Sequence, residues 1–245
     1  MQGKYPDKAN VHPTRQRLPY RKFCNLLTPA LTERLAGKLD TELHLISAII
    51  LVADMRSFSE FAASLPPGHL RCQLSNYIRT MVTIIHQHGG LVDKFIGDMI
   101  IAAWSTRSED DSFVQAFDCA RSMITAAMKI SFGQSPVSIG VGLDVGQVYL
   151  GNIEHQGKQR YTLIGPLLNT VLSYENATSH IPTSLMISRA FYYQAPESIQ
   201  KELRECNEQI ITYEQEALPA YIPYVQICHT ASEAQGEEDD TSQTD

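Results

Sequence analysis

Residues Leu43–Ala53 form an almost unbroken apolar run rich in Ile and Val, and it ends abruptly at Asp54. A run of this length with no polar alternation predicts a strand buried on both faces, so the chain must supply covering layers above and below it. Ser57-x-x-Glu60 follows as a capping-box pattern, placing a helix start just beyond Asp54. From Pro67 the apolar residues Leu70, Leu74, Ile78, Met81 and Ile85 recur at helical spacing, and Gly89-Gly90 closes the helix. Leu91–Ile96 and Met99–Trp104 read as short strands joined by Gly97-Asp98, a dipeptide suited to a tight hairpin turn. Asp111–Ser131 carries Phe113, Phe117, Ala120, Ile124 and Met128 at helical spacing. Val137–Val145 and Gln147–Ile153 read as a hairpin turning at Gly146, followed by a strand at Tyr161–Ile164, a helix at Pro166–Ala177 and a strand at Ser184–Ile187. This order predicts an α+β sandwich, a largely antiparallel sheet with helices on one face.

The ends differ from this middle. Residues 1–38 hold eight Lys or Arg against two acids, with four prolines, and 1–42 reads as a basic leader with a short helix around Thr28–Leu39. Residues 230–245 hold six acids, no base and no large apolar side chain, and are expected to be a disordered tail. The domain is therefore expected over 43–229. A net charge of −7 argues against nucleic acid as a partner. No apolar stretch is long enough to span a bilayer, and the N-terminus lacks the apolar segment of a signal peptide. The five cysteines are scattered and form no C-x-x-C, as reduced thiols of a cytoplasmic protein would be. A bare domain with no attached sensor is expected.

Asp54 and Asp98 stand out because both are placed at strand ends instead of on solvated helix faces. If the first two strands are neighbours, the carboxylates converge beside a helix N-terminus, an arrangement suited to Mg²⁺ or Mn²⁺ and a triphosphate. Taken singly, Asp54 reads more readily as a helix cap and Asp98 as a turn former; it is the surrounding sequence that shifts the balance.

The surrounding motifs carry a resemblance. Ala53-Asp54-Met55-Arg56-Ser57-Phe58-Ser59 resembles the F-A-D-I-R-G-F-T segment of class III adenylate and guanylate cyclase domains. His88-Gly89-Gly90-Leu91-Val92-Asp93-Lys94-Phe95-Ile96-Gly97-Asp98 is similar to their H-G-G-x-V-D-K-F-I-G-D. Gly140–Gly146 and Gly151-Asn152-Ile153 resemble the family's glycine-rich segment, Tyr161–Gly165 its Y-T-x-I-G, and Asn169 the Asn of G-D-x-V-N. These segments keep the family's order and spacing across residues 44–190.

The resemblance implies a ferredoxin-like sandwich and a lyase that makes a 3′,5′-cyclic nucleotide and pyrophosphate from a nucleoside triphosphate. Asp54, Asp98 and the carbonyl near Met55 would bind two Mg²⁺ or Mn²⁺ ions per site for in-line attack by the ribose 3′-hydroxyl. Amides around Ser57, Phe58 and Ser59 would hold the β- and γ-phosphates. Lys94 and Thr162 fall where the family reads the base, in its adenine-selecting combination. Asn169 would complete the site from the other subunit of a C₂ homodimer.

Three departures stand against the resemblance. The family's transition-state Arg is Ser173 here, a loss that typically costs on the order of 10²–10³ in rate. The Asp of G-D-x-V-N is Pro166, and the C-terminal V-K-G is replaced within Glu214–Ala220. Lys158 and Arg160 are candidates to supply the missing charge. Two alternatives therefore stand beside an adenylate cyclase: a pyrimidine cyclase making cyclic UMP or cyclic CMP in anti-phage signalling, and a catalytically weak domain that only binds nucleotide or dimerises. A diguanylate cyclase is disfavoured because the chain lacks G-G-[DE]-E-F.

Overall fold

The computed structural model describes residues 43–106, 111–133, 135–155, 158–206, 210–211 and 217–223. The basic leader and the acidic tail lie outside these residues. Strand β1 (Leu43–Met55) runs thirteen residues, and from Ala48 to Ala53 no side chain is more than 1% exposed. Short helix α1 (Phe58–Ser64) leads into α2 (Pro67–Gln87), the hairpin β2 (Leu91–Ile96) and β3 (Met99–Ser105), and helix α3 (Ser112–Ala127). Then come β4 (Ile139–His155), β5 (Lys158–Ile164), α4 (Pro166–Ala177), β6 (Leu185–Ser188), α5 (Arg189–Gln194), α6 (Glu197–Gln200), β7 (Leu203–Glu205) and β8 (Ala220–Pro223). The eight strands make one sheet in the order β2-β3-β1-β4-β6-β8-β7, with β5 paired to β4. Among the described residues only the β4–β6 pairing is parallel, so the expected α+β class with a largely antiparallel sheet is the one observed.

Both faces of β1 are covered, as its unbroken apolar run requires. Ile49, Leu51 and Ala53 pack with Tyr77, Met81 and Ile85 of α2 and Phe117, Ala120 and Met123 of α3. Ala48, Ile50 and Val52 face the other way, into a second cluster with Val148, Leu150, Leu163 and Val171 of α4. Helices are therefore not confined to one face: α2 and α3 lie on one, α4 on the other.

Glycines make the second layer possible. A Cβ on Gly142 would stand 2.6 Å from the Val171 carbonyl oxygen and 2.8 Å from the Glu175 nitrogen, so α4 lies directly on the strand backbone there. Gly146 has the same use, facing Leu167. The expected hairpin at Gly146 is absent; β4 runs straight through it, paired residue for residue with all of β1 from Leu43↔Gly151 to Met55↔Ile139.

The Ser57 capping box also differs. Helix α1 does start at Phe58, but Ser57 sits in the left-handed region at φ 57° and its side chain makes no capping hydrogen bond. Its carbonyl instead receives the Glu60 and Phe61 amides at 3.1 Å. Among the described residues Cys72, Cys119 and Cys206 are free thiols, and no helix is long and apolar enough to cross a membrane.

Candidate active site

The β2–β3 turn is closed by Gly97 at φ 66°, a conformation glycine adopts without steric cost, and Ile96 pairs directly with Met99. Asp98, the second turn residue, is thereby turned inward and is 8% exposed. Its Oδ2 accepts the Met55 amide at 3.1 Å. β1 lies between β3 and β4, so β2 is not its neighbour. The two acids still converge, because the turn extends past the end of β3 to the end of β1.

Asp54 Oδ1 is buried without a hydrogen-bond partner. Burial, then the neighbouring Asp98 carboxylate, push the Asp54 carboxyl up to about 7. A third carboxyl lies close by. Glu175 reaches over Gly140, the residue paired with Asp54, its Oε1 standing 2.7 Å from where a Gly140 Cβ would be. Burial and, against the opposing pull of Arg56, the charge of Asp98 push Glu175 up to about 7 as well. Arg56 ties the end of β1 to the end of α4, its Nη2 donating to the carbonyls of Thr178 and of Thr183, the latter at 2.9 Å. Sequence reading singled out neither Glu175 nor Arg56. The glycine at 140, which admits a long side chain from the covering helix, is the one signal it held for Glu175.

An acid whose proton affinity is raised by burial and by the neighbouring Asp98 charge, with one oxygen buried and unpaired, fits a cation better than it fits an empty cavity. Among the described residues no third His, Cys, Asp or Glu joins them as a ligand group. Met55, 4% exposed, lies beside both acids. Ser57 and Ser59 are exposed, and Phe58 is partly buried against Phe132. The amides of Phe58 and Ser59 belong to the first turn of α1, where a helix leaves N–H groups without an acceptor of its own.

Lys94 and Thr162 come together at Leu163 of β5. Lys94 Nζ donates to the Leu163 carbonyl at 3.2 Å and pairs with Asp93 at 3.2 Å, while the Thr162 hydroxyl lies 3.5 Å from the same carbonyl. Asn169 is exposed on α4, and Ser173, one turn on, donates its hydroxyl back to the Asn169 carbonyl at 3.0 Å. Asn169 and Glu175 are six residues apart, so about 9 Å of helix separates Asn169 from the acid cluster's edge. The backbones of Lys158 and Arg160 belong to β5; their side chains lie outside the described residues.

The sheet order and the acid pair at the β2–β3 turn define an α+β sandwich of the class III cyclase type. A bacterial light-regulated adenylyl cyclase shares the fold at TM-score 0.68 and 24% identity, over 80% of this chain and 58% of that one. The adenylyl cyclase CyaB from P. aeruginosa does so at TM-score 0.62 and 23% identity, over 76% of this chain and 97% of that one. The adenylate and guanylate cyclase catalytic domain matches residues 45–195, more than half the sequence, and the chain belongs to this family. An adenylate cyclase of Anabaena cylindrica is 25% identical over 185 residues, 71% of this chain and 35% of that protein. The chain thus spans about a third of that relative's length.

Proposed function

We propose that this domain is a nucleotide cyclase that converts a nucleoside triphosphate, with ATP favoured, to its 3′,5′-cyclic monophosphate and pyrophosphate. The observation that carries the proposal is the Asp54–Asp98 pair with its buried, unpartnered Asp54 Oδ1. Asp54, Asp98 and the Met55 carbonyl would hold Mg²⁺ or Mn²⁺, two ions per site. Bound there, the cations supply charge stabilisation at the α-phosphate and a lowered pKa for the ribose hydroxyl. The chemistry is in-line: the 3′-oxygen bonds to the α-phosphorus, the bond to the bridging oxygen of the β-phosphate breaks, and the hydroxyl proton passes to water. The chain's own residues orient this exchange. First-turn amides of α1, at Phe58 and Ser59 beside Ser57, hold phosphate oxygens. Lys94 and Thr162 read the base.

A second copy completes the site. Asn169 is exposed and separated from the acids of its own chain, which supports delivery across a C₂ homodimer. Leu43, Leu45 and Tyr149 stand 50%, 46% and 44% exposed, with Leu45 paired directly to Tyr149, an apolar face that a partner would cover. Ser173 favours a second reading, a slow or inactive cyclase, because its hydroxyl bonds back into α4 and offers no positive charge to the α-phosphate. Lys158 and Arg160 are the proposed replacements, and either changed to Ala lowers kcat.

The test is Mn²⁺-supported turnover with ATP, GTP, CTP and UTP, products separated against cyclic standards, beside Asp54→Ala and Asp98→Ala. Cyclic AMP lost in both variants supports the adenylate reading, and cyclic CMP or UMP moves the protein to pyrimidine signalling. No product from a stably folded dimer refutes cyclase activity.

A further inference from the structure

The β2–β3 register slips between Val92 and Lys94, a bulge next to the residues proposed to read the base. In a regular strand two consecutive side chains point to opposite faces; a bulge re-aims them. Here Asp93 and Lys94 both reach one residue of β5. Asp93 Oδ1 accepts the Leu163 amide at 3.1 Å, and Lys94 Nζ donates to the Leu163 carbonyl at 3.2 Å. The triangle closes between the two side chains, Lys94 Nζ to Asp93 Oδ2 at 3.2 Å. Asp93 is 8% exposed, and a carboxylate that deep persists only when paired. The neighbouring Thr162 is 6% exposed, its hydroxyl directed at the same Leu163 carbonyl.

This triangle sets a hydrogen-bond polarity. An ammonium has three donors; the Leu163 carbonyl takes one, and Asp93 Oδ2 anchors the charge as an ion pair without accepting a hydrogen bond, so donor capacity remains for a ligand. A Thr hydroxyl whose proton faces a carbonyl presents its lone pairs outward. A donor beside an acceptor matches a base that carries an unprotonated ring nitrogen next to an amino group, as adenine and cytosine do. Guanine and uracil present a ring N–H next to a carbonyl, which sets donor against donor and leaves buried groups unpaired.

We propose that Asp93 is a specificity-determining positioning residue. By gripping the Leu163 peptide and the Lys94 ammonium together, it fixes Lys94 as donor and Thr162 as acceptor. The site therefore takes amino bases over keto bases. The inference rests on Lys94 and Thr162 reading the base, as proposed above. Asn at 93 keeps an oxygen for the Leu163 amide but turns N–H donors toward Lys94, releasing the ammonium.

The experiment is equilibrium binding of the four 3′-deoxynucleoside triphosphates, which lack the attacking hydroxyl, in Mn²⁺ to wild type, Asp93→Asn and Lys94→Ala, each first checked by thermal melting. The wild type is expected to prefer the adenine and cytosine analogues to the guanine and uracil ones by at least about tenfold. Asp93→Asn is expected to erase most of that ratio, and with ATP itself to raise KM far more than it lowers kcat. Should Asp93→Asn fail to fold, Asp93→Glu keeps the charge but displaces it by one methylene, and is expected to reduce the same ratio. If an Asp93 variant that folds keeps the wild-type ratio while Lys94→Ala loses it, Asp93 does not position the pair and the inference is wrong. If the wild type shows no preference, or Lys94→Ala leaves it unchanged, the base-reading proposal itself fails.

Discussion

Replacing Gly142 with Ala tests the layer that carries α4. The new methyl would stand 2.6 Å from the Val171 carbonyl oxygen, 2.8 Å from the Glu175 nitrogen and 3.3 Å from its Cα. All three are backbone atoms of one helix, so no rotamer change relieves the contact. Restoring an ordinary 3.4 Å separation moves α4 outward by about 0.8 Å at that point. A radial gap of about 0.5–1 Å forfeits about a quarter to a half of each dispersion contact. The groups affected are Val171 and Tyr174, 0% and 2% exposed. Overpacking of this kind costs about 1–3 kcal/mol, set against a gain of about 0.4–1 kcal/mol from the stiffer unfolded chain. The expected net loss is about 1–2 kcal/mol. Gly68 is the control: in the first turn of α2 it has nothing within 4 Å of its would-be Cβ, and Gly68→Ala is expected to gain about 0.5 kcal/mol. Urea unfolding of both variants, with unchanged m-values, reads the two signs. A Gly142→Ala protein as stable as wild type would refute the close packing of α4 on β4.

Two further outcomes follow from the acid cluster and the turn beside it. The Asp54 carboxyl is raised from its ordinary 3.8 to about 7, so between those pH values the folded chain holds a proton that the unfolded chain has lost. Metal-free stability should therefore fall as pH rises through that window. Asp54→Asn should remove on the order of 1 kcal/mol of that fall, after allowing for solvent screening. Denaturation in chelator at pH 5 and pH 8 reads it, and an unchanged difference between the two pH values counts against the coupled pair. Ser57→Gly should relieve a left-handed backbone worth about 1 kcal/mol, netting about 0.5 kcal/mol of stability, whereas the β-branched Ser57→Val should lose stability. Equal midpoints for the two variants would mean that Ser57 is not strained.

Local pattern alone determined a good part of this molecule. The long Ile-rich run read as a doubly covered strand, Gly97-Asp98 as a tight turn between two apolar strands, and helical spacing marked α2 and α3, although it missed the buried Tyr77 and included Met128, which lies past the end of α3 and is 42% exposed. Pro166–Ala177 appears as a helix with the expected ends. Asp54 and Asp98 were legible as candidate site residues through the spacing of the motifs around them, since each alone reads as a cap or a turn former. The remainder was decided by contacts between residues far apart in the chain. Periodicity shows that a face is apolar but not which helix will cover it, so α4's place opposite α2 and α3 was invisible. A glycine is equally compatible with a turn and with close approach; at Gly146 the thirteen-residue pairing with β1 and the proximity of Leu167 selected approach. The same holds for Glu175 beside Asp54 and for Asp93 on Leu163. Each pairs groups at least 35 residues apart, and only the closed sheet, with its bulge and its covering helix, brings them within reach.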